Sequence, residues 1–180
     1  SLYHFLQNTD EEQIPHKINF MGIGASAKCT LKIKKAPLGV VHIGADHAGF
    51  ELKNQLISFL EEKGFTVKDF GCYSEDSIDY PDFGHPVAEM VEANEAMLGI
   101  VICGSGNGIN MTVNKHKGIR SALCWNTELA ALARQHNNAN ILALPARFIS
   151  TELALEMVNT FLTTSFEGGR HQNRIDKIPC

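Results

Sequence analysis

No stretch of this chain approaches the roughly 18 consecutive apolar residues that a membrane span needs, so no membrane segment is expected. The N-terminal residues lack the apolar block of a secretory signal, which makes the cytoplasm the expected compartment. Charge of one sign is not in excess. Sixteen Lys and Arg against twenty Asp and Glu leave a formal net charge of −4, which gives no ground for nucleic acid or an anionic membrane as partner. The five cysteines, Cys29, Cys72, Cys103, Cys124 and Cys180, are odd in number, scattered and without a CxxC. Neither a disulfide framework nor a zinc site is expected from them. Two phosphate-loop signatures are missing as well. There is no GxxxxGK[ST], and the loop of alternating glycines has Ile109 where a GxGxxG requires its third glycine.

What is present is an ordinary globular composition, 44% hydrophobic and 20% charged over 180 residues, enough for one domain with a substantial core. Residues 1–37 hold no sustained period and read as an N-terminal arm without assigned role, with a short strand suggested at Thr30–Ile33. From Leu38 onward, strand and helix patterns alternate. Strands are expected at Leu38–Ala45, Phe65–Phe70, Leu98–Cys103, Ile119–Cys124 and Ile141–Leu144. Helices are expected from Gly49 to Lys63, from near Pro86 to Ala96, from near Ile109, from Thr127 as cap to Asn137, and over Ser150–Leu162. This predicts an α/β fold, a Rossmann-like, doubly wound parallel sheet of five strands in an α/β/α sandwich. The α/β body spans 38–166, followed by a basic C-terminal tail over 167–180.

Chemistry concentrates where strands end. Asp46 and His47 follow the first strand, Cys103 and its glycine loop the third, Arg147 the fifth. A sheet of order 2-1-3-4-5 places the first and third strands side by side at the switch point, where such sheets bind ligands. The segment Ile102-Cys103-Gly104-Ser105-Gly106-Asn107-Gly108 sets a thiol beside backbone N–H groups able to cradle one oxyanion. A plain strand-to-helix turn would need only one glycine. An ordinary cysteine is only a few per cent thiolate at neutral pH, and a helix N-terminus favours the thiolate. His47 lies in a turn of small residues with room for a ligand, and His136 at a polar helix end. Cys124 reads as a small core hydrophobe, and His85 and His116 as surface residues.

Together these residues resemble the B-type ribose-5-phosphate isomerases, the family that also holds allose-6-phosphate and galactose-6-phosphate isomerases. The resemblance is carried by Gly44-Ala45-Asp46-His47-Ala48-Gly49-Phe50, Asp79-Tyr80-Pro81 and the cysteine–glycine loop. It continues through Asn114-Lys115, Gly118-Ile119-Arg120, Ala133-Arg134-Gln135-His136-Asn137 and Glu167-Gly168-Gly169-Arg170-His171, in unbroken order from Leu38 to the C-terminus. It implies interconversion of an aldose phosphate and its ketose through an enediol, here ribose 5-phosphate and ribulose 5-phosphate of the pentose phosphate pathway, with neither metal nor organic cofactor. Carried over, Cys103 is the base between C2 and C1. Ser105 with the amides of Gly104, Gly106, Asn107 and Gly108 holds the enediolate. His136 assists furanose opening with Asp46 and Tyr80 nearby. His47, Arg147, Arg170 and Arg174 grip the phosphate, and Asn114 and Asn137 meet sugar hydroxyls.

The resemblance also implies a homodimer, or dimers paired into a tetramer, with sites shared between subunits so that His136 and Arg147 face Cys103 of the other chain. Alternatives are a six-carbon sugar-phosphate isomerase, a nucleotide-binding module on a flavodoxin-like sheet, and a structural subunit of a hetero-oligomer. A nucleotide module would leave Cys103 and the clustered arginines without a task, and the retention of Cys103, His136 and Arg170 in one chain opposes an inactive subunit.

Overall fold

The alternation read from the sequence is present in residues 38–93 and 98–179, which the computed structural model describes. The N-terminal arm, with its suggested strand, lies outside the described residues. Five strands, β1 (Val40–Ala45), β2 (Thr66–Asp69), β3 (Leu98–Cys103), β4 (Ser121–Leu123) and β5 (Ile141–Pro145), form one all-parallel sheet. Six α-helices accompany them: α1 (Phe50–Glu62), α2 (Pro81–Glu92), α3 (Asn107–Val113), α4 (Thr127–Asn137), α5 (Thr151–Thr163) and α6 (Arg170–Ile175). A 3-10 turn at His47–Gly49 leads into α1.

The strand order is β2-β1-β3-β5-β4, not the 2-1-3-4-5 expected. Burial explains the exchange. Every residue of β5 is buried, whereas all three of β4 are half-buried. A wholly apolar strand is stable where both its faces and both its edges are covered, so β5 takes the inner position and the short β4 the rim. The juxtaposition of β1 and β3 is unaffected, with Ala45 in register with Ile102.

Helix boundaries differ from expectation at two places. Pro81, not Pro86, opens α2, and its missing N–H is no loss in a first turn. Helix α2 ends at Glu92 with Ala93 as its cap, and the rest of the expected span toward Ala96 lies outside the described residues. Asn126 rather than Thr127 caps α4, its Oδ1 accepting the Leu129 N–H at 2.8 Å.

Side-chain alternation along β3 divides the core. Ile100 and Ile102 pack with Leu56, Leu60, Ala130, Met157 and Phe161 on the face covered by α1, α4 and α5. Val101 and Cys103 pack with Val87, Val91, Ile109 and Val113 on the face covered by α2 and α3. The sulfur therefore belongs to the α2–α3 side of the sheet, at its C-terminal rim.

Candidate active site

At that rim the loop after β3 turns sharply into α3. Gly106 caps the helix at φ +73°, and a Cβ there would stand 2.4 Å from Leu123 Cδ1. Only glycine meets both conditions. At Gly108 a Cβ would stand 2.5 Å from Tyr80 Cζ, so the phenol ring rests directly on the first turn of α3. N–H groups in a first helical turn have no acceptor within the helix and are open to an anion. The Asn107 N–H is donated to Ser105 Oγ at 3.3 Å, which leaves the Ser105 hydroxyl proton available to a ligand.

Opposite the loop stands the turn after β1. Asp46 Oδ1 accepts from the N–H groups of Ala48 and Gly49 at 3.0 and 3.2 Å. The carboxylate is thereby fixed, with its second oxygen still able to accept. His47 Nδ1 accepts the Ile78 N–H at 3.3 Å. In neutral imidazole this assigns the proton to Nε2, making that atom a donor.

The strand order brings in a cation. Because β5 adjoins β3, Ala146 N–H donates to Cys103 O and Arg147 N–H to Gly104 O, both at 3.0 Å. The Arg147 guanidinium lies across Gly104, its Nε 3.3 Å from where a Cβ would stand. The expectation is that Arg147 faces the thiol of another chain, whereas it lines the same cavity as Cys103 of its own. Asp46, His47, Tyr80, Cys103, Ser105 and Arg147, with Gly104 and Gly108, line one cavity of about 200 Å³. Cys103 is only 4% exposed, so the sulfur is seated at the floor of this cleft. Ser105 also borders an adjoining cavity of about 470 Å³ with Asn107, Trp125 and Phe148.

Among the described residues, Cys124 is a buried core residue, as the sequence reading expects, and Cys72 is buried too. Burial pushes the Cys124 thiol up to about 12, and burial likewise raises Cys72. His85 is exposed, as expected, and His116 is half-buried. His85 Nδ1 meets His116 Nε2 at 2.8 Å, and His116 Nδ1 meets Glu92 Oε2 at 3.0 Å. The Gly118 N–H, first, and His116, second, hold the Glu92 carboxyl below the usual carboxylate range.

The remaining expected site residues are not in the cleft. His136 and Asn137 end α4, and the Asn137 carbonyl accepts from Arg120 Nε at 3.0 Å, just before β4 begins. They therefore sit at the N-terminal ends of the strands, roughly 15–20 Å from the rim at about 3.3 Å per strand residue. Asn114 lines a second cavity of about 470 Å³ there with Asn137 and Arg120. Its amide bridges helix and sheet, giving to Asn110 O and Ser121 O at 3.0 Å and accepting Ser121 N–H at 2.9 Å. Arg170 and Arg174 lie exposed one turn apart on α6, while His171 and Ile175 face inward. Sequence reasoning missed one partnership at this end. The His136 and His171 rings stack with centroids 4.2 Å apart and planes 5° from parallel.

A sequence model of the family described as Ribose/Galactose Isomerase matches residues 41–178. The chain belongs to the ribose/galactose isomerase family. It is 42% identical to the ribose-5-phosphate isomerase B of Escherichia coli over 138 residues, 77% of this chain and 93% of that one. The solved ribose 5-phosphate isomerase of Thermotoga maritima superposes with a TM-score of 0.77 at 50% identity, covering 78% of this chain and 97% of the other. Ribose-5-phosphate isomerase B of Mycoplasma genitalium, solved with ribulose-5-phosphate bound, superposes with a TM-score of 0.75 at 47% identity, covering 77% and 93%. The ribose/galactose isomerase fold thus accounts for the described residues from β1 to α6.

Proposed function

We propose that this protein interconverts ribose 5-phosphate and ribulose 5-phosphate, and that two copies build each complete site. The observation that carries the reaction is the convergence of the Cys103 thiol, the loop amides and the Arg147 guanidinium on one cleft of sugar-phosphate size. Arg147 and the Nε2 proton of His47 grip the phosphate, Arg through its planar fork. That grip is remote from the reacting carbons and serves to orient them. Cys103, as thiolate, takes the proton from C2 of the open-chain aldose. The electrons move onto the carbonyl oxygen at C1, where the Ser105 hydroxyl and loop N–H groups stabilise the negative charge, and the enediol forms. The proton of the C2 hydroxyl passes to the C1 oxygen, and the same sulfur returns its proton to C1 as C2 becomes the ketose carbonyl. Each preplaced donor to such an oxyanion is worth roughly 2.7–4 kcal/mol of transition-state stabilisation.

The cleft has no group of its own to open the furanose ring beyond Asp46 and Tyr80. His136, Asn137, Arg170 and Arg174 cluster at the opposite end of the same subunit. A second copy, docked so that its α4–α6 end covers the cleft, supplies a ring-opening histidine, an amide for a sugar hydroxyl and two further phosphate cations. The tail over 167–180 is in this reading part of the partner's site. A free catalytic thiol suits a reducing compartment, which supports placing the enzyme in the cytoplasm.

The deciding experiment is an assay of the purified chain on ribose 5-phosphate and allose 6-phosphate side by side, with chelator present. Turnover of the pentose phosphate at least tenfold more efficient than of the hexose phosphate is expected. Preference for the hexose phosphate reassigns the substrate, and no turnover of either overturns the reading.

A further inference from the structure

The pairing of His136 with His171 has physical consequences that the isomerase reading does not use. His171 is 6% exposed, and its ring lies flat on that of His136. The backbone fixes this arrangement. The Glu167 N–H donates to Gln135 O at 3.0 Å, clamping the tail to the last turn of α4. Gly168 and Gly169, both at positive φ, then swing the chain into α6, which delivers His171 beneath His136. The Glu167 carboxylate stands 3.8 Å from His136 Nε2 and 3.6 Å from His171 Nε2. Those separations exceed a hydrogen bond, so Glu167 acts as a shared counter-charge.

Two stacked imidazoles do not both carry a proton without repelling each other. Desolvation, reinforced by the charges of His136, Arg170 and Arg174 and opposed by Glu167, holds His171 below the ordinary histidine range. The buried ring therefore stays neutral, beneath a half-exposed His136 whose Nε2 faces the Glu167 carboxylate. The same three groups put two imidazole nitrogens and a carboxylate oxygen within 4.8 Å of one another. Parallel rings set their nitrogens side by side instead of converging on one point, and two arginines lie close, so the arrangement suits proton handling better than cation ligation.

We propose that His171 and Glu167 are positioning residues for His136: His171 is a flat platform that fixes the ring's plane, and Glu167 is the carboxylate that faces its Nε2. This rests on the reading of His136 as the acid that protonates the ring oxygen during furanose opening, and it adds two residues with no substrate contact of their own.

The test uses the full chain carrying His171→Phe, His171→Ala or Glu167→Gln, with kcat, KM and their pH profiles measured on ribose 5-phosphate. His171→Phe keeps a flat neutral ring and is expected to retain kcat within about twofold. His171→Ala is expected to lose kcat roughly tenfold with KM little changed, a fraction of the roughly 100-fold or more that proton transfer supplies. Glu167→Gln is expected to move the alkaline limb of kcat to lower pH, because removing an anion disfavours a neighbouring imidazolium.

A platform with a merely structural role would lower Tm and leave the pH profile where it was. The proposal is overturned if the Glu167→Gln profile superimposes on the parent's, or if His171→Phe is as impaired as His171→Ala. Imidazole NMR titration of the free variants reads the same coupling without substrate. If His136→Asn retains full turnover, the ring-opening assignment fails, and the NMR titration still decides whether Glu167 and His171 govern the protonation of His136.

Discussion

At the scale of single residues, the proposed reaction turns on where one sulfur sits. Cys103 is packed into the α2–α3 core and yet forms the floor of the cleft. Its replacement by alanine removes one heavy atom from a tight site and leaves the apolar contacts. Cys103→Ala is therefore expected to fold with a Tm within a few degrees of the parent and to lose at least about 100-fold in kcat, the usual worth of a placed base. Circular dichroism and a coupled isomerase assay check the two halves. A second prediction concerns His171. A histidine whose folded pKa lies below its ordinary 6.5 binds its proton more readily in the unfolded chain. Stability is then fully present above pH 6.5 and falls as the pH drops through that value toward the lower folded one. Urea midpoints at pH 7.5 and 5.5 measure this, and His171→Phe is expected to flatten the difference.

At the scale of elements, each part of the site is presented by a structure whose start or stop is chemically fixed. Asn126 and Ser150 cap α4 and α5 through side-chain oxygens that accept from Leu129 and Leu153 N–H. Asn126→Ala is expected to cost about 1 kcal/mol of unfolding free energy, read as a lower denaturation midpoint with unchanged m-value. Strand β3 was legible to the residue because a run of Leu, Ile and Val ends at a cysteine followed by glycine. The glycine loop was legible because alternating glycines mark a sharp turn, and at Gly106 the positive φ and the closeness of Leu123 do require glycine. The start of α2 was not, because Pro81 and Pro86 carry the same first-turn signal, and only the packing of Tyr80 on Gly108 separates them. The order of β4 and β5 was equally hidden. Nothing local distinguishes an inner strand from a rim strand until burial on both faces is known. The position of Arg147 beside Cys103 of its own chain followed from that order, and so was missed with it.

At the scale of the whole molecule, the sheet keeps the two groups of candidate site residues apart. The cleft lies at the C-terminal rim, the His136–Arg170–Arg174 cluster at the other end of the strands. In the proposed dimer, a two-fold axis would set the cleft of each copy against the opposite end of the other. Mixed subunits expose this directly. Cys103→Ala and His136→Asn are each expected to be nearly inactive alone. Unfolded together and refolded, half of the dimers are hybrids in which one of two sites is intact, so about one quarter of parental activity returns. Sites closed within one chain would never complement. The His136–His171 stack was beyond sequence reasoning, because glycines that turn the tail back onto α4 leave no periodic trace in the residues they bring together.

The strand that carries the sulfur is hydrogen-bonded to neighbours along both edges. Such a rod does not swing its last residue outward to meet a bulky oxidant or another protein's disulfide. Only reagents slim enough to enter the cleft will reach it, and a sugar phosphate bound as proposed would stand in their way. The enzyme at work is thus guarded against alkylation by its own traffic.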